Sequence, residues 1–159
     1  MQSEELMKAS TDPELQLGSD FVQAALARGD MAVGAFDGPV LVAYVWWTQT
    51  SAPHTDDIWV RVDPPYCYAY KAFARPNYRG NRLGPAVVVF SDAEILKQGF
   101  THRVGFVATT NLKSLAARKH MSAKLTGYAG YLNWFGHFIL FRTKMVRDIG
   151  FEFYELQKT

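Results

Sequence analysis

Residues 78–84 read Tyr-Arg-Gly-Asn-Arg-Leu-Gly and separate two segments of different character. The preceding run, residues 66–74, is extended and apolar, and the following run, residues 85–98, has the composition of a helix. A strand that enters a glycine-containing turn and then a helix leaves backbone N–H groups without intrahelical partners at the helix start. The helix dipole adds roughly half a positive charge there. We therefore expect this turn to bind an anion, and a phosphate-bearing ligand in particular.

The side chains of the turn favour the same ligand. Arg79 and Arg82 are planar, permanently charged donors whose geometry suits phosphate. Gly80 and Gly84 carry no Cβ, so the backbone can bend there and approach a ligand closely. The turn is therefore predicted to bind phosphate through backbone amides and two guanidinium groups.

The overall composition describes a folded chain without a strong charge bias. The 159 residues are 48% hydrophobic and 20% charged, with a formal net charge of +2. These values exclude a mainly disordered chain and give no indication of a broad face for binding nucleic acid. A single domain of this length buries roughly 70% of the surface that its unfolded chain exposes. We expect one domain over residues 1–159 and no nucleic-acid partner.

Cysteine content and the N-terminus bear on the compartment in which the chain works. One cysteine, Cys67, excludes a disulfide framework and a cysteine-rich zinc site, and it fits a reducing environment. The N-terminal residues are acidic and lack the basic-then-apolar pattern of a signal peptide. No apolar stretch approaches the ~18 residues that a membrane span needs. We expect a cytoplasmic protein with no membrane partner and no bound metal.

The pattern of apolar residues predicts alternating helices and strands. Helices are predicted at residues 13–28, at residues 85–98 and after Asn111, which is a good N-cap. Strands are predicted at residues 31–36, 40–48, 58–62, 66–74, 103–109, 126–135 and 137–143. Residues 37–39 and Gly136 mark two hairpin turns. This order predicts an α/β fold with a single mixed, mostly antiparallel sheet flanked by helices.

The turn and the order of elements resemble the GNAT superfamily of N-acetyltransferases. Residues 74–84 are similar to the strand end, Pro, aromatic residue, Arg-Gly and closing Gly of that family, except that Arg82 stands where its middle Gly is expected. Asn111-Leu112-Lys113-Ser114 follows a predicted strand as the Asn-x-x-Ser of the family does. The resemblance covers roughly residues 13–143. It implies an acyl-CoA co-substrate, usually acetyl-CoA.

The resemblance also implies which residues contact the acyl-CoA. The turn would hold the pyrophosphate through backbone N–H groups, and the end of strand 66–74 would pair with the pantetheine amides and stabilise the oxyanion. Asn111 and Ser114 would face the pantetheine or the thiol, although Asn111 is equally well explained as a helix cap. The implied cofactor-binding residues are Phe73, Ala74, Arg79, Gly80, Asn81, Arg82, Leu83, Gly84, Asn111 and Ser114.

Catalytic residues cannot be assigned from the sequence. The usual proton donor of the family is a Tyr one turn before a Gly-Phe, but this chain has Met121-Ser122-Ala123 in place of the Gly-Phe and Arg118 in place of the Tyr. Arg118 stays protonated, so a contact with phosphate or a surface position suits it better than the role of an acid. Strand 66–74 contains no carboxylate that could act as a base. Tyr128 and Tyr131 could replace the acid or could simply pack in the sheet.

Three other groups have plain structural explanations. Residues 54–57 contain a His and two Asp, but they lack helical ligand spacing, so a solvated loop is favoured over a metal site. Cys67 falls within a predicted strand and is favoured as a small buried hydrophobe over a nucleophile. Trp46 and Trp47 are adjacent in a strand and should point to opposite faces, in core packing.

The function predicted from these patterns is that of an acyl-CoA-dependent N-acyltransferase, which moves acetyl to a primary amine by direct transfer. The acceptor would be a small molecule or a peptide. The aromatic content of 14% favours an apolar or aromatic acceptor. The alternative is a non-catalytic acyl-CoA-binding or assembly subunit with the same fold. A homodimer is also expected, because an interface between subunits would account for the high aromatic content. Residues 1–12 look too polar to supply a first strand.

Overall fold

The structure is a computed structural model that describes residues 1–121 and 123–156. The helices are α1 (Ser3–Ala9), α2 (Ser19–Ala27), α3 (Leu83–Lys97), α4 (Leu112–His120) and α5 (Lys144–Asp148). The strands are β1 (Met31–Asp37), β2 (Val40–Thr48), β3 (Ser51–Pro53), β4 (Ile58–Arg61), β5 (Tyr66–Ala74), β6 (His102–Val104), β7 (Ala129–Trp134), β8 (His137–Arg142) and β9 (Glu152–Glu155). Ser122, part of the predicted replacement of the Gly-Phe, lies outside the described residues.

Four strands form the sheet that carries the candidate site. Their order is β1-β2-β5-β6, with antiparallel pairing from β1 to β5 and parallel pairing of β5 with β6. In the described residues, β3, β4 and β9 form a second antiparallel sheet, and β7 and β8 form a two-stranded ribbon. The predicted mixed α/β fold, with a mostly antiparallel sheet flanked by helices, is confirmed, and its hydrogen-bonded strands divide among these three sheets.

Residues 1–12 supply no strand, as predicted, but the helices of the N-terminal region differ from the prediction. Residues Ser3–Ala9 form a helix, and within the described part of the chain the first strand begins at Met31. The predicted helix 13–28 is interrupted, because Gln16 adopts a left-handed conformation with φ of 54°. Only a 3-10 turn, Pro13–Leu15, precedes it, and α2 begins at Ser19. Asp12 caps that 3-10 turn rather than the α-helix.

Two predictions for the later chain were also wrong. The segment 103–109 was expected to be a strand, but β6 ends at Val104, where its pairing with β5 also ends. No strand was predicted between residues 48 and 58, yet this segment contains β3, which pairs with β4. By contrast, β5 spans the predicted residues 66–74, and the hairpins at residues 37–39 and at Gly136 are both present.

The two faces of the central sheet bury different clusters. Trp46 packs with Leu6 and Val22 of the N-terminal helices, whereas Trp47 packs with Cys67 and Ile95 on the face covered by α3. Both indole rings are almost fully buried. The prediction that the two tryptophans point to opposite faces is therefore confirmed.

A buried carboxylate joins the N-terminal helices to β5. Asp30 is 4% exposed, and its Oδ2 accepts hydrogen bonds from Arg28 at 2.7 Å and from the Tyr70 hydroxyl at 2.6 Å. Its Oδ1 is buried and has no hydrogen-bond partner among the described residues. An unpaired buried carboxylate is costly, so these two donors hold β5 against the end of α2.

A second link involves Arg75, which directly follows β5. Its Nε donates to the Leu41 carbonyl at 2.7 Å, and its terminal nitrogens pair with Asp12 and Glu14. Asp12 also accepts a hydrogen bond from the Glu14 N–H at 3.0 Å. The N-terminal turn is thereby attached to the strand that leads into the turn at residues 78–84.

Removing the Tyr70 hydroxyl should destabilise the fold. We expect Tyr70→Phe to lower the free energy of unfolding by about 1–3 kcal/mol, because a buried carboxylate loses a donor. Urea denaturation followed by tryptophan fluorescence measures this change. Tyr68→Phe is the matched control, since the Tyr68 hydroxyl has no hydrogen-bond partner in the described residues, and its effect should stay within about 0.5 kcal/mol. Equal losses in both variants would contradict the role of Asp30.

The pairing of Asp12 should appear as a pH-dependent stability. The hydrogen bond from Arg75 and that from the Glu14 N–H hold the pKa of Asp12 below its ordinary value of 3.8. A depressed folded-state pKa stabilises the fold above the unfolded value, and this contribution is lost as the pH falls through the lower folded value. We therefore expect Asp12→Asn, which keeps the cap acceptor, to melt at a lower temperature than wild type at neutral pH. The difference should vanish well below pH 3.8.

Thermal unfolding across that pH range, with Glu155→Gln as a control, checks this prediction. Glu155 is an exposed carboxyl at the end of β9. A difference in melting temperature for Asp12→Asn that stayed constant down to low pH would mean that the Asp12 charge contributes nothing.

Candidate functional site

Strands β5 and β6 pair only where they begin. The ladder runs from Tyr66 to Tyr68 on β5 and ends opposite Val104 on β6. At the next residue the chains are still close, because a Cβ built on Gly105 would lie 3.0 Å from the Ala69 carbonyl oxygen. Beyond this point they separate, so the rest of β5 has no strand partner on that side within the described residues.

The separating strands enclose a cleft of about 610 Å³. One wall is residues 69–72 of β5, and the other wall is residues 106–108 together with α4. Phe21 lines the cleft from the face of the N-terminal helices, whereas Val88 lines it from the face covered by α3. The cleft therefore passes through the sheet at the point where the two strands separate.

A bulge in β5 lies in the wall of this cleft. Val45 pairs with Ala72 and Trp46 pairs with Tyr70, which leaves Lys71 without a partner in the ladder. Lys71 has a φ of 29°, and its Nζ lies 4.7 Å from the centroid of the Phe21 ring. Burial lowers the pKa of this amine below its usual value. The bulge thus presents irregular backbone and one cation to the cleft.

The turn after β5 presents free amides at the start of α3. The backbone N–H groups of residues 80–84 have no acceptor among the described residues, and the next amide along the helix, that of Ala86, is bonded to the Arg82 carbonyl at 3.0 Å. Pro85 has no N–H to donate. Gly80, Asn81, Arg82, Leu83 and Gly84 therefore combine unpaired donors with the positive end of a helix dipole, as an anion site requires.

The backbone explains the unusual residue in this turn. Arg82 is the N-cap of α3 and adopts a left-handed conformation, with φ of 58° and ψ of 15°. A residue with a Cβ pays roughly 1–2 kcal/mol for that conformation, which is why Gly suits the position. The position tolerates Arg at that cost, and the exposed guanidinium adds a charge next to the free amides.

Arg79 folds back onto the end of β5. Its Nε donates to the Ala74 carbonyl at 3.1 Å, and its guanidinium carbon lies 6.0 Å from the centroid of the Phe73 ring. The Phe73 ring stacks on Tyr44, with 5.6 Å between centroids. Phe73 and Ala74 thus lie just past the cleft, whose strand wall is formed by residues 69–72.

Three polar residues of the α4 region line the cleft. The Asn111 Oδ1 accepts a hydrogen bond from the Ser114 N–H at 3.1 Å, which confirms the predicted helix cap, and both residues face the cleft. Arg118 follows one turn later, and its guanidinium has no hydrogen-bond or ion-pair partner within residues 1–121 and 123–156. Burial and the neighbouring Arg103 lower the pKa of Arg118. The guanidinium is therefore half-buried without a counter-ion among those residues.

The sequence did not indicate that His54 belongs to the cleft. Its ring contacts the rings of Phe106, Phe153 and Tyr131 at centroid distances of 4.9, 5.5 and 5.8 Å. The residue is more than a third exposed, yet this packing buries enough of the ring to lower the pKa of the imidazole. His54 and Asp56 both line the cleft, so the expected solvated loop forms part of its wall. No signal in the sequence could reveal this, because the contacts join β3, β7 and β9.

Cys67 is structural, whereas the alternatives given for Tyr128 and Tyr131 remain predictions. Cys67 is fully buried, and burial raises the pKa of its thiol to about 11, so the prediction of a small buried hydrophobe is confirmed. Tyr128 is 56% exposed, whereas Tyr131 packs against His54. In the described residues, no three His, Cys, Asp or Glu side chains are arranged to hold a metal ion, and no helix is long and apolar enough to cross a membrane.

Comparisons with known proteins find a similar fold among solved structures. No family model and no curated protein matches this chain. The solved structure of the aminoglycoside N-acetyltransferase AAC(6')-Iy with a CoA bisubstrate analogue is 12% identical, with a TM-score of 0.64 over 84% of this chain and 94% of that chain. A ribosomal-protein-alanine N-acetyltransferase from Brucella melitensis is 16% identical, with a TM-score of 0.59 over 83% of this chain and 93% of that chain.

A third solved structure gives the same result. An acetyltransferase from Trypanosoma brucei is 13% identical, with a TM-score of 0.57 over 84% of this chain and 96% of that chain. Because the likeness spans nearly the whole of each chain, it concerns the fold rather than a shared fragment. The resemblance drawn from residues 74–84 and 111–114 is therefore confirmed at the level of the fold: this chain has the architecture of the GNAT N-acetyltransferases.

Proposed function

We propose that the protein is an acyl-CoA-dependent N-acyltransferase that moves acetyl from acetyl-CoA to a primary amine by direct transfer. The observation that carries the proposal is the run of five unpaired backbone amides at residues 80–84, at the start of α3 and next to an unpaired strand edge. The solved structures with this fold include an acetyltransferase in complex with CoA. That combination supports a ligand with both a pyrophosphate and an extended amide-bearing arm.

Each part of the site has a proposed role in binding the thioester. The amides of residues 80–84, with Arg79 and Arg82, bind the pyrophosphate. The open edge of β5 pairs with the pantetheine amides as an added strand would, first at Phe73 and Ala74 and then along residues 69–72. Asn111 and Ser114 contact the pantetheine from the opposite wall.

Arg118 is proposed to compensate for the missing tyrosine acid. A half-buried guanidinium without a counter-ion attracts an anion, and the acyl-CoA brings phosphates and, after transfer, a thiolate. A fixed positive charge lowers the free energy of a thiolate leaving group without donating a proton. Arg118 would therefore assist departure by electrostatics rather than by acid catalysis.

The homodimer remains a prediction. The ribbon of β7 and β8 is apolar on its surface, and its strongly exposed side chains are Leu132, Trp134, Phe135, Ile139 and Phe141. Exposed apolar surface of this kind is typical of interaction sites. Sedimentation of the purified chain would decide whether it associates with itself.

Acetyl-CoA should stabilise the folded protein. At a hundredfold excess over its dissociation constant, linkage adds about 2.7 kcal/mol to the free energy of unfolding. Thermal unfolding with and without acetyl-CoA measures the gain, and an equal concentration of adenosine, which lacks the pyrophosphate and pantetheine, is the control. An unchanged melting temperature at millimolar acetyl-CoA would contradict the proposal.

A side chain at Gly84 should block the pyrophosphate. Gly80 has a φ of 85°, so substitution there would strain the backbone, whereas a Cβ at Gly84 meets open space and needs no left-handed φ. We expect Gly84→Val to keep its melting temperature within a few degrees of wild type and to weaken acetyl-CoA binding at least about tenfold, or about 1.4 kcal/mol.

Calorimetric titration of the variant with acetyl-CoA measures this loss. Ala93→Val places the same side chain at an exposed position of α3, away from its N-terminus, and should bind as wild type does. Wild-type affinity in Gly84→Val would mean that the free amides are not the pyrophosphate site. Binding in both variants without thiol release from any amine would favour a non-catalytic acyl-CoA-binding subunit.

A further inference from the structure

The cleft has a second mouth on the face of the sheet opposite α3. Phe21, Tyr68 and Tyr70 line it there, together with Phe106 and His54. Tyr68 and Phe106 stack with 6.4 Å between centroids and an interplanar angle of 11°. None of residues 80–84 lines the cleft, so we expect an acceptor to enter by this mouth and the pyrophosphate to lie elsewhere.

His54 is held rigidly at this mouth. Its backbone N–H donates to the Ile58 carbonyl at 2.8 Å, and the Thr55 hydroxyl accepts from the Ile58 N–H at 3.0 Å. The tight turn between β3 and β4 therefore fixes the backbone, while three aromatic rings fix the plane of the imidazole. A side chain constrained from both ends is already oriented before any ligand arrives.

The imidazole nitrogens have no hydrogen-bond partner in the part of the chain that the structure describes. If the imidazole served only to fill space in an aromatic cluster, a phenyl ring could take its place. Its partial burial lowers the pKa below the ordinary 6.5, so the ring is neutral at pH 7 and carries a free lone pair. A neutral, oriented and unoccupied imidazole in a cleft has the properties of a general base.

We propose that His54 is the general base for the acceptor amine and that the acceptor carries its amine on a flat, apolar group such as a single aromatic ring. This rests on the proposed acyl transfer. The partly exposed rings of Phe21, Tyr70 and Phe106 line the cleft and can pack against an aromatic acceptor. Asp56 is the one carboxylate among the described residues that line the cleft, which suits a single ammonium group rather than a polyamine.

The proposed reaction conserves atoms and charge. His54 takes one proton from the incoming ammonium, and the neutral amine attacks the carbonyl carbon of the thioester. The C–N bond forms, the C–S bond breaks, and the electron pair of the latter stays on sulfur beside Arg118. The second N–H proton leaves nitrogen and ends on the thiolate, while the imidazolium releases its proton to solvent. The products are the amide, free CoA and one proton.

The pH dependence follows from the same assignment. Among the described residues, the titratable or charged side chains that line the cleft with His54 are Asp56, Tyr68, Tyr70, Lys71, Arg103 and Arg118. Tyr131 on β7 contacts the imidazole itself. Burial raises the pKa of Tyr68 and Tyr70 and lowers that of Lys71. Because burial lowers the pKa of His54 below its ordinary value, kcat/KM should fall as the pH drops through that lowered pKa.

The test compares wild type with His54→Gln, using 2-phenylethylamine as the acceptor. Release of CoA thiol is followed from acid to alkaline pH, and acetyl-CoA binding is measured by calorimetry. We expect His54→Gln to bind acetyl-CoA as wild type does, to lose about 100-fold or more in kcat, and to lose the acid limb of the pH profile. His102→Gln is the matched control, because His102 lies outside the cleft and its ring contacts Tyr66.

Each result bears on the proposal. An acid limb that persists in His54→Gln but disappears in Lys71→Gln would assign the base to Lys71 and overturn the role of His54. Acetyl-CoA binding without turnover of any amine would refute both the transfer and the base. Failure to bind acetyl-CoA would refute the proposed function. The acceptor site would then be tested by NMR, in which the signal of the His54 ring is identified by its absence from the spectrum of His54→Gln. If 2-phenylethylamine leaves that signal unmoved, the inference fails.

The class of acceptor is tested separately with amines of different shape. We expect kcat/KM for 2-phenylethylamine to exceed that for n-butylamine about tenfold or more, because the ring buries more apolar surface against the cleft. Spermidine should be the poorest of the three. A preference for spermidine would overturn the proposed class of acceptor. The role of His54 as the base would still be decided by the pH profile.

Discussion

The separation of two parallel strands after only three paired residues is the constraint on which the site depends. A strand inside a sheet has its backbone groups satisfied on both sides, whereas residues 69–74 of β5 are satisfied on one side only. Gly105 permits the last close approach of the two chains, since a Cβ there would press on the Ala69 carbonyl. The gap that follows provides an open strand edge for an extended ligand and a passage from one face of the sheet to the other.

Strand β5 joins the components of the site because each depends on a different stretch of it. The C-terminal end of β5 leads into the turn with the free amides of residues 80–84, and the bulge at Lys71 lies in the wall of the cleft. The bulge also lets Tyr70 and Phe73, which are three residues apart, share the face of the N-terminal helices. Tyr70 is held there by its hydrogen bond to Asp30, and Arg75 is held by its ion pairs with Asp12 and Glu14. One buried contact, at Asp30, and one more exposed pair of ion pairs, at Arg75, therefore hold the strand in place where its own ladder is incomplete.

Local patterns in the sequence predicted the parts of the fold that local chemistry decides. The bounds of β5, the hairpin at residues 37–39 and the cap at Asn111 follow from alternation, turn residues and a short side-chain hydrogen bond. The interruption of the helix at Gln16 and the early end of β6 did not follow from local patterns. On either side of Gln16, Leu15 and Leu17 are buried, and the Leu15 carbonyl accepts a hydrogen bond from the Tyr44 hydroxyl on β2. Strand β6 ends where its pairing with β5 ends. Such features depend on residues distant in sequence.

The sequence by itself determined that a turn near its middle would offer unpaired amides and guanidinium groups, because a strand, a glycine-containing turn and a helix start are consecutive in the chain. It also determined that Cys67 would be buried and that the two tryptophans would face opposite ways. Only the tertiary structure decided that His54 and Arg118 face one cleft, because they lie 64 residues apart by number and come from separate elements. Their shared environment exists only once β5 and β6 have separated, and no spacing within a single segment encodes that.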